Sequence, residues 1–269
     1  MNAREPMRRA CVGRVLCGAA IAAGCGRLGF QSQLPPGDGS ALDGPGDGRA
    51  SYRDAVLADA PLGYWRLGDT GSTLHDEIGR HDGNSTGACA TGTTGALAGD
   101  GDAALGFDGA SCAVTLGSAF GFPDNTPFSV EAWVSPRTFM ATQHIFTKQH
   151  RLGGPVDGYA LLLYGGAARW ERVVNQVNTR PGDVSVAIST YTHLVGVYDG
   201  AAMVLHVDGI AGTPAADTDP MNAIADTAYI GASPEGNFFD GAIDEVAVYD
   251  HALPADRIRV HHNLGAPVH

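Results

Sequence analysis

Apolar and polar residues alternate in short bursts along most of the chain. Phe128-Ser-Val-Glu-Ala-Trp-Val134 is the clearest, with Phe128, Val130, Ala132 and Val134 on one face of a period-two pattern. Similar runs predict strands at Gly63–Leu67, Ala104–Phe107, Ala113–Leu116, Phe128–Val134, His144–Lys148 and Tyr159–Tyr164. Others follow at Arg169–Val173, Thr192–Tyr198, Met203–Val207, Thr227–Ile230 and Ala242–Tyr249. Gly, Asp, Asn and Pro punctuate them, and Asp199-Gly200 reads as a hairpin turn. Two helices frame the set, Ser51 to Ala58 with Ser51 as N-cap and Pro254 to Asn263 with Pro in its first turn. So many short strands predict one all-β domain over 51–269, a sandwich or a barrel.

Before residue 51 the pattern changes. Arg4, Arg8, Arg9 and Arg14 precede a short apolar run, Val15 to Gly24, too short to span a bilayer. Residues 1–24 thus read as a signal peptide. Ala22-Ala23-Gly24-Cys25 resembles a bacterial lipobox, with Ala22 where Leu is usual, which makes Cys25 the acylated anchor. A plain secretory signal is the alternative. Gly26 is not acidic, which points to the outer membrane or cell surface. Residues 25–50 are rich in Pro, Gly, Ser and Asp and read as a flexible tether. Cys11 and Cys17 leave with the signal, so Cys89 and Cys112 remain as an even pair for an oxidising compartment. A disulfide between them is expected, two free buried thiols being the alternative.

Composition narrows the function. The 269 residues carry 17 basic and 29 acidic side chains, a net charge of -12. Such a balance excludes nucleic acid as a partner, because phosphate binding needs a cationic face. The ten histidines show no H-E-x-x-H and read as lone surface residues. No nucleophile elbow, P-loop or dinucleotide fingerprint occurs.

From about Ser51 to Leu264 the chain resembles the laminin-G-like jelly roll of the concanavalin A-like lectin/glucanase superfamily. The resemblance rests on Ala60-Pro-Leu-Gly-Tyr-Trp-Arg-Leu-Gly-Asp69, Asp76-Glu-Ile-Gly79, Phe107-Asp-Gly109 and Phe128 to Val134. It continues through Ile145-Phe-Thr-Lys148, Gly158-Tyr159, His193 to Gly209, and Phe239 to Tyr249 followed by Leu253-Pro254. Tyr191-Thr192 stands where such families usually have Trp before His193. The resemblance implies a two-sheet antiparallel jelly-roll sandwich with one concave sheet. It also implies a range of functions, from binding glycans or proteins to glycoside hydrolysis. Hydrolases of this fold usually carry Glu-x-Asp-x-Glu or Glu-x-Asp-x-x-Glu on one strand, and no Glu here has Asp two positions later. Asp244 and Glu245 are expected on opposite faces of their strand.

The resemblance further implies one structural calcium, tying an early loop to the last strand through Asp76, Asn84 and Asp244. For a glycan, Trp170 in Arg169-Trp170-Glu171-Arg172 is the expected sugar platform, with Arg169 and Arg172 beside it; core packing is the alternative for Trp170. Trp65 and Trp133 read as core, and Phe238-Phe239 as a plug at one end of the sandwich. The expectation is an exported, non-catalytic binding module of the cell envelope, taking a glycan or an envelope or extracellular protein and touching membrane only through its lipid. A structural or adhesion lipoprotein is the alternative, and a divergent glycoside hydrolase or lyase a more distant one.

Overall fold

The structure is a computed structural model that describes residues 51–139, 142–151 and 156–266. The expected signal peptide, acylated Cys25 and tether lie outside these residues. Among the described residues, no helix is long and apolar enough to cross a membrane.

Two antiparallel sheets stack face to face. The first runs Ile210–Ala211, Ala202–Val207, Thr192–Tyr198, Phe128–Pro136, Asp240–Tyr249, Ala103–Asp108, Ala90–Thr94. Gly63–Trp65 also pairs with Asp240–Tyr249, and Ala215–Ala216 with Ala202–Val207. The second runs Val177–Thr179, Ala167–Val174, Asp157–Tyr164, Thr142–His150, Tyr229–Ile230, Ala113–Thr115, Gly83–Thr86, Thr73–Leu74, with Val184–Ser185 beside Ala167–Val174. This is the expected all-β jelly-roll sandwich. Among the described residues, the apolar pattern missed seven short strands at or near the sheet edges, Thr73–Leu74, Gly83–Thr86, Ala90–Thr94, Val177–Thr179, Val184–Ser185, Ile210–Ala211 and Ala215–Ala216, which carry few large apolar residues.

The alternation predicts the interior correctly. Phe128, Val130, Ala132 and Val134 meet Tyr159, Leu161, Leu163 and Trp170 of the other sheet in one core. Phe128 lies 4.4 Å from the Tyr159 ring and 5.5 Å from Trp170, centroid to centroid. Each of the larger apolar side chains, such as Phe128, Val130 and Leu161, contributes roughly 1.5–3 kcal/mol by leaving water. Of the Phe238-Phe239 pair, Phe239 is buried in that core and Phe238 is half-buried outside it.

The outer face of the first sheet is buried too, because both helices lie on it. Tyr52–Ala58 starts with a capping box between Ser51 and Asp54, and Ala255–Gly265 starts after Pro254. Tyr52, Val56 and Ile258 pack on Tyr64, Trp133, Val195 and Tyr249. A polar hub sits in this layer. Glu131 is fully buried and accepts the hydroxyls of Tyr52 (2.9 Å) and Tyr249 (2.7 Å), with His193 Nε2 at 2.7 Å and His261 Nδ1 at 3.1 Å. His261 also lies 2.9 Å from Asp59. Four elements thus converge on one carboxylate. The expectation of surface histidines fails here: His144, His193, His206 and His261 are buried. Three of them belong to the first sheet or its helical cover, which a reading of single strands does not reveal. Cys89 and Cys112 form the expected disulfide.

Candidate functional site

On the second sheet the outward side chains of the central strands are mostly buried too, Thr147, Gln149, Ala160 and Leu162 among them, and the accessible part lies toward Tyr164. In Ala167–Val174 the alternation sends Arg169 and Glu171 outward and Ala168, Trp170 and Arg172 inward. Trp170 is 0% exposed and donates its indole N–H to the Val197 carbonyl at 3.2 Å. It is therefore core and not a sugar platform. Arg172 is buried as well. Its guanidinium lies 2.9 Å from Asp217, donates to the Asp124 carbonyl at 2.7 Å and covers the Tyr198 ring at 4.4 Å. Of the three expected ligand-binding residues, only Arg169 borders an accessible depression.

Register brings other groups beside it. Arg169 pairs with Leu162, Leu162 with His144, and Tyr164 with Thr142. Together with Arg151, Glu171, Glu235 and Asn237 they line a depression of about 310 Å³. Tyr164 is 50% exposed, and Arg169 stacks 4.2 Å from its ring centroid. Arg169 is held on Asp183 at 2.6 and 3.0 Å. Glu171 accepts Asn178 at 2.8 Å and Gln149 at 3.2 Å, and Arg151 lies 3.5 Å away. Arg151 also reaches Glu235 at 3.4 Å. The His144 backbone N–H donates to the Asn237 carbonyl at 3.0 Å, and its ring meets the Thr147 hydroxyl. Burial, helped by Arg151, pushes the His144 imidazole down to about 3, so it is neutral at neutral pH. The arrangement joins one exposed aromatic ring to many hydrogen-bonding groups.

A second titratable cluster lies on the opposite sheet. A bulge in Asp240–Tyr249, with Glu245 at φ 51°, breaks the expected alternation. Asp244 and Glu245 therefore do not point apart: with Asp102 their carboxylate atoms lie within 4.8 Å of one another. Asp244 accepts the backbone N–H groups of Ala96 (2.7 Å) and Glu245 (3.1 Å). Glu245 accepts Arg66 at 3.1 Å and the Tyr64 hydroxyl. Arg66 also pairs with Asp100 at 2.7 Å and Asp102 at 3.1 Å. Burial pushes Asp244 up to about 7; burial and the Asp244 charge push Glu245 up to about 8. Both side chains are buried, at 1% and 0% exposure.

The calcium set expected from the sequence does not assemble. Asp76 spends its oxygens on four backbone donors, Tyr64 and Ile78 on one and Arg80 and His81 on the other, at 2.9 to 3.0 Å. A carboxylate so occupied staples its loop and has little left for a cation. Asn84 is exposed and lines a separate polar depression with Arg80, His81, Thr115 and Tyr229. Of the three residues, only Asp244 joins the carboxylate cluster. The donor chemistry of that cluster is all oxygen, as calcium requires, yet Arg66 already supplies its positive charge.

A family model described as the concanavalin A-like lectin/glucanases superfamily, Laminin_G_3, matches residues 108–259. No curated protein matches the chain in sequence. Among solved structures, domain 4 of AbnA, a GH43 extracellular arabinanase from Geobacillus stearothermophilus in complex with arabinotriose, is similar with a TM-score of 0.60 and 16% identity. That match covers 76% of this chain and 98% of the domain. The botulinum neurotoxin serotype D binding domain is similar at 0.58 and 12% identity, over 78% of this chain and 52% of that one. Trypanosoma rangeli sialidase in complex with the inhibitor DANA is similar at 0.54 and 15% identity, over 75% and 32%. At such identities the likeness is one of fold.

Proposed function

Because the chain belongs to the concanavalin A-like lectin/glucanases superfamily, we propose that it is a non-catalytic binding module that takes a glycan at the depression beside Tyr164. The observation that carries this reading is the depression around Tyr164. A half-exposed ring there offers its face to sugar C–H groups, while Glu235, Asn237 and the paired arginines offer hydrogen bonds to hydroxyls. The glycan-containing neighbours, bound to arabinotriose in one case, agree with such a use of the fold. The role is proposed as non-catalytic because the carboxylates of the depression, Glu171 and Glu235, share one guanidinium, Arg151. We further propose export to the cell envelope with a lipid on Cys25, on the grounds of the amino-terminal pattern alone.

A glycan array with the full chain tests the reading. Signal lost in Tyr164→Ala but kept in Ile210→Ala, an exposed control on the other sheet, supports it. An array without signal sinks it. One observation favours a second reading, a structural or adhesion module: the tryptophan best suited to sugar stacking is in the core. Under that reading Tyr164→Ala changes no binding.

A further inference from the structure

We infer that the Tyr164 depression selects neutral oligosaccharides and rejects those carrying carboxylate, sulfate or phosphate. The inference rests on the glycan-binding reading above and adds the ligand's charge class. It follows from how the ionic groups around the depression are paired.

Each guanidinium there already has its anion. Arg169 makes a two-point contact with Asp183, at 2.6 and 3.0 Å, the geometry in which a guanidinium is best satisfied by a carboxylate. Arg151 lies between Glu171 at 3.5 Å and Glu235 at 3.4 Å and donates a further bond to Gln149 at 2.7 Å. Three carboxylates thus face two guanidinium groups, and the buried His144 adds no charge at neutral pH. The flanking residues 140, 141 and 152–155 contain no ionisable side chain. An anionic sugar would have to displace a carboxylate from an arginine and then lie beside it, a like-charge contact in a partly dry site. The whole chain, at -12, opposes its approach as well.

A neutral sugar needs no such exchange. Glu235 meets Arg151 through one oxygen, Oε2, and Asn237 donates its amide to Ser233 at 3.0 Å. The second Glu235 oxygen and the side-chain Oδ1 of Asn237 are acceptors suited to hydroxyl donors. Arg169 covers one face of the Tyr164 ring, and Tyr164 remains half exposed for contact with a sugar. The pairing also fixes the two arginines in place, so that ordering them costs little on binding.

Calorimetric titration of the full chain tests this with a panel of neutral and acidic oligosaccharides. The neutral arm contains arabinotriose and cello-, xylo- and manno-oligosaccharides; the acidic arm contains sialyllactose, oligogalacturonates and a sulfated disaccharide series. The expected result is binding in the neutral arm, with acidic ligands weaker by about tenfold or more. Asp183→Asn frees Arg169, and Glu235→Gln loosens Arg151. Each is expected to raise affinity for acidic ligands several-fold, and two variants guard against one failing to fold. Acidic ligands that bind the wild-type chain as tightly as neutral ones overturn the inference and leave the glycan reading intact. Binding in neither arm overturns the glycan reading, and the inference with it.

Discussion

Gly196 lies directly across the sandwich from Trp170, and a side-chain carbon at position 196 would sit 2.3 Å from the indole ring. The missing side chain is what lets the tryptophan enter the core. Gly196→Ala therefore overpacks a filled site and is expected to lower stability by about 1–3 kcal/mol. Urea melts read the loss directly. The double variant Gly196→Ala/Trp170→Phe should recover part of it, because the smaller ring clears the added methyl. Simple additivity of the two losses would show that the contact does not couple them.

Glu131 joins both helices to the first sheet, so its removal should be felt beyond its own strand. Glu131→Ala leaves two tyrosine hydroxyls and two imidazoles without their shared acceptor. The expected cost is about 3–5 kcal/mol, the range for breaking a buried charged network. Hydrogen exchange should show amides of Tyr52–Ala58 and Ala255–Gly265 opening together. Opening of one helix alone would contradict the shared hub.

The same hub sets a pH window. Burial opposes the Glu131 charge, yet His261 and His193 hold the carboxyl well below the ordinary glutamate range. Its stabilisation is present above that ordinary range and is lost as pH falls through the depressed value. Burial likewise opposes the His261 charge, and Glu131 overrides it, raising the imidazole above its ordinary range. That stabilisation is complete below the ordinary histidine value and fades as pH rises through the raised one. The pair should contribute most between about pH 4.5 and 6.5. Melts of His261→Asn against the wild type read this: the difference between them should shrink toward alkaline pH.

How much of this was legible in the sequence depends on what each inference required. Periodicity alone placed Phe128, Val130, Ala132 and Val134 on one buried face, because that face packs against the opposite sheet. The same periodicity in Arg169-Trp170-Glu171-Arg172 separates two faces without saying which is inside. Gly196, on a strand of the other sheet, decides it, and nothing near Trp170 in sequence signals that contact. Tyr164, Arg151, Glu235 and Asn237 were missed because register and loop return assemble the depression from three separate stretches. Tyr164-Gly165-Gly166 was a usable signal, an aromatic at a turn between two strands and so near an exposed edge. The bulge at Glu245 is a local backbone choice with no glycine to mark it.

Asp244 and Glu245 predict a second pH effect of opposite use. Their folded values, about 7 and about 8, exceed those of an unfolded chain, so the native state holds extra protons through the weakly acidic range. Stability is greatest below the ordinary carboxylate range and falls as pH rises through those two values. The wild-type melting temperature should thus decline between about pH 5 and pH 9, while Glu245→Gln, neutral throughout, declines less. Equal slopes would remove Glu245 from the explanation. Calcium offers an independent check on the same group. Since Arg66 already occupies Asp102 and Glu245 as their cation, millimolar calcium should leave the melting temperature unchanged. A rise that disappears in Asp244→Asn would instead place an ion there.

The disulfide between Cys89 and Cys112 bears on an exposed edge of the sandwich. Ala90–Thr94 is an edge strand, almost wholly exposed and uncharged, with one neighbour, Ala103–Asp108. Its side chains bury little, so its place depends on the covalent link just before it. The closed loop spans 23 residues, for which chain entropy gives about 3 kcal/mol of stabilisation. Cys112 is buried and Cys89 is partly accessible, so reductant should reach the bond at Cys89. Cys89→Ser/Cys112→Ser is expected to lower stability by about 2–4 kcal/mol, and reduction of the wild type should produce the same loss. Exchange of the Ala90–Thr94 amides should rise before that of Phe128–Pro136, which is paired on both sides within the sheet. If both regions open together, the bond acts on the whole unfolded chain and gives the edge no local support.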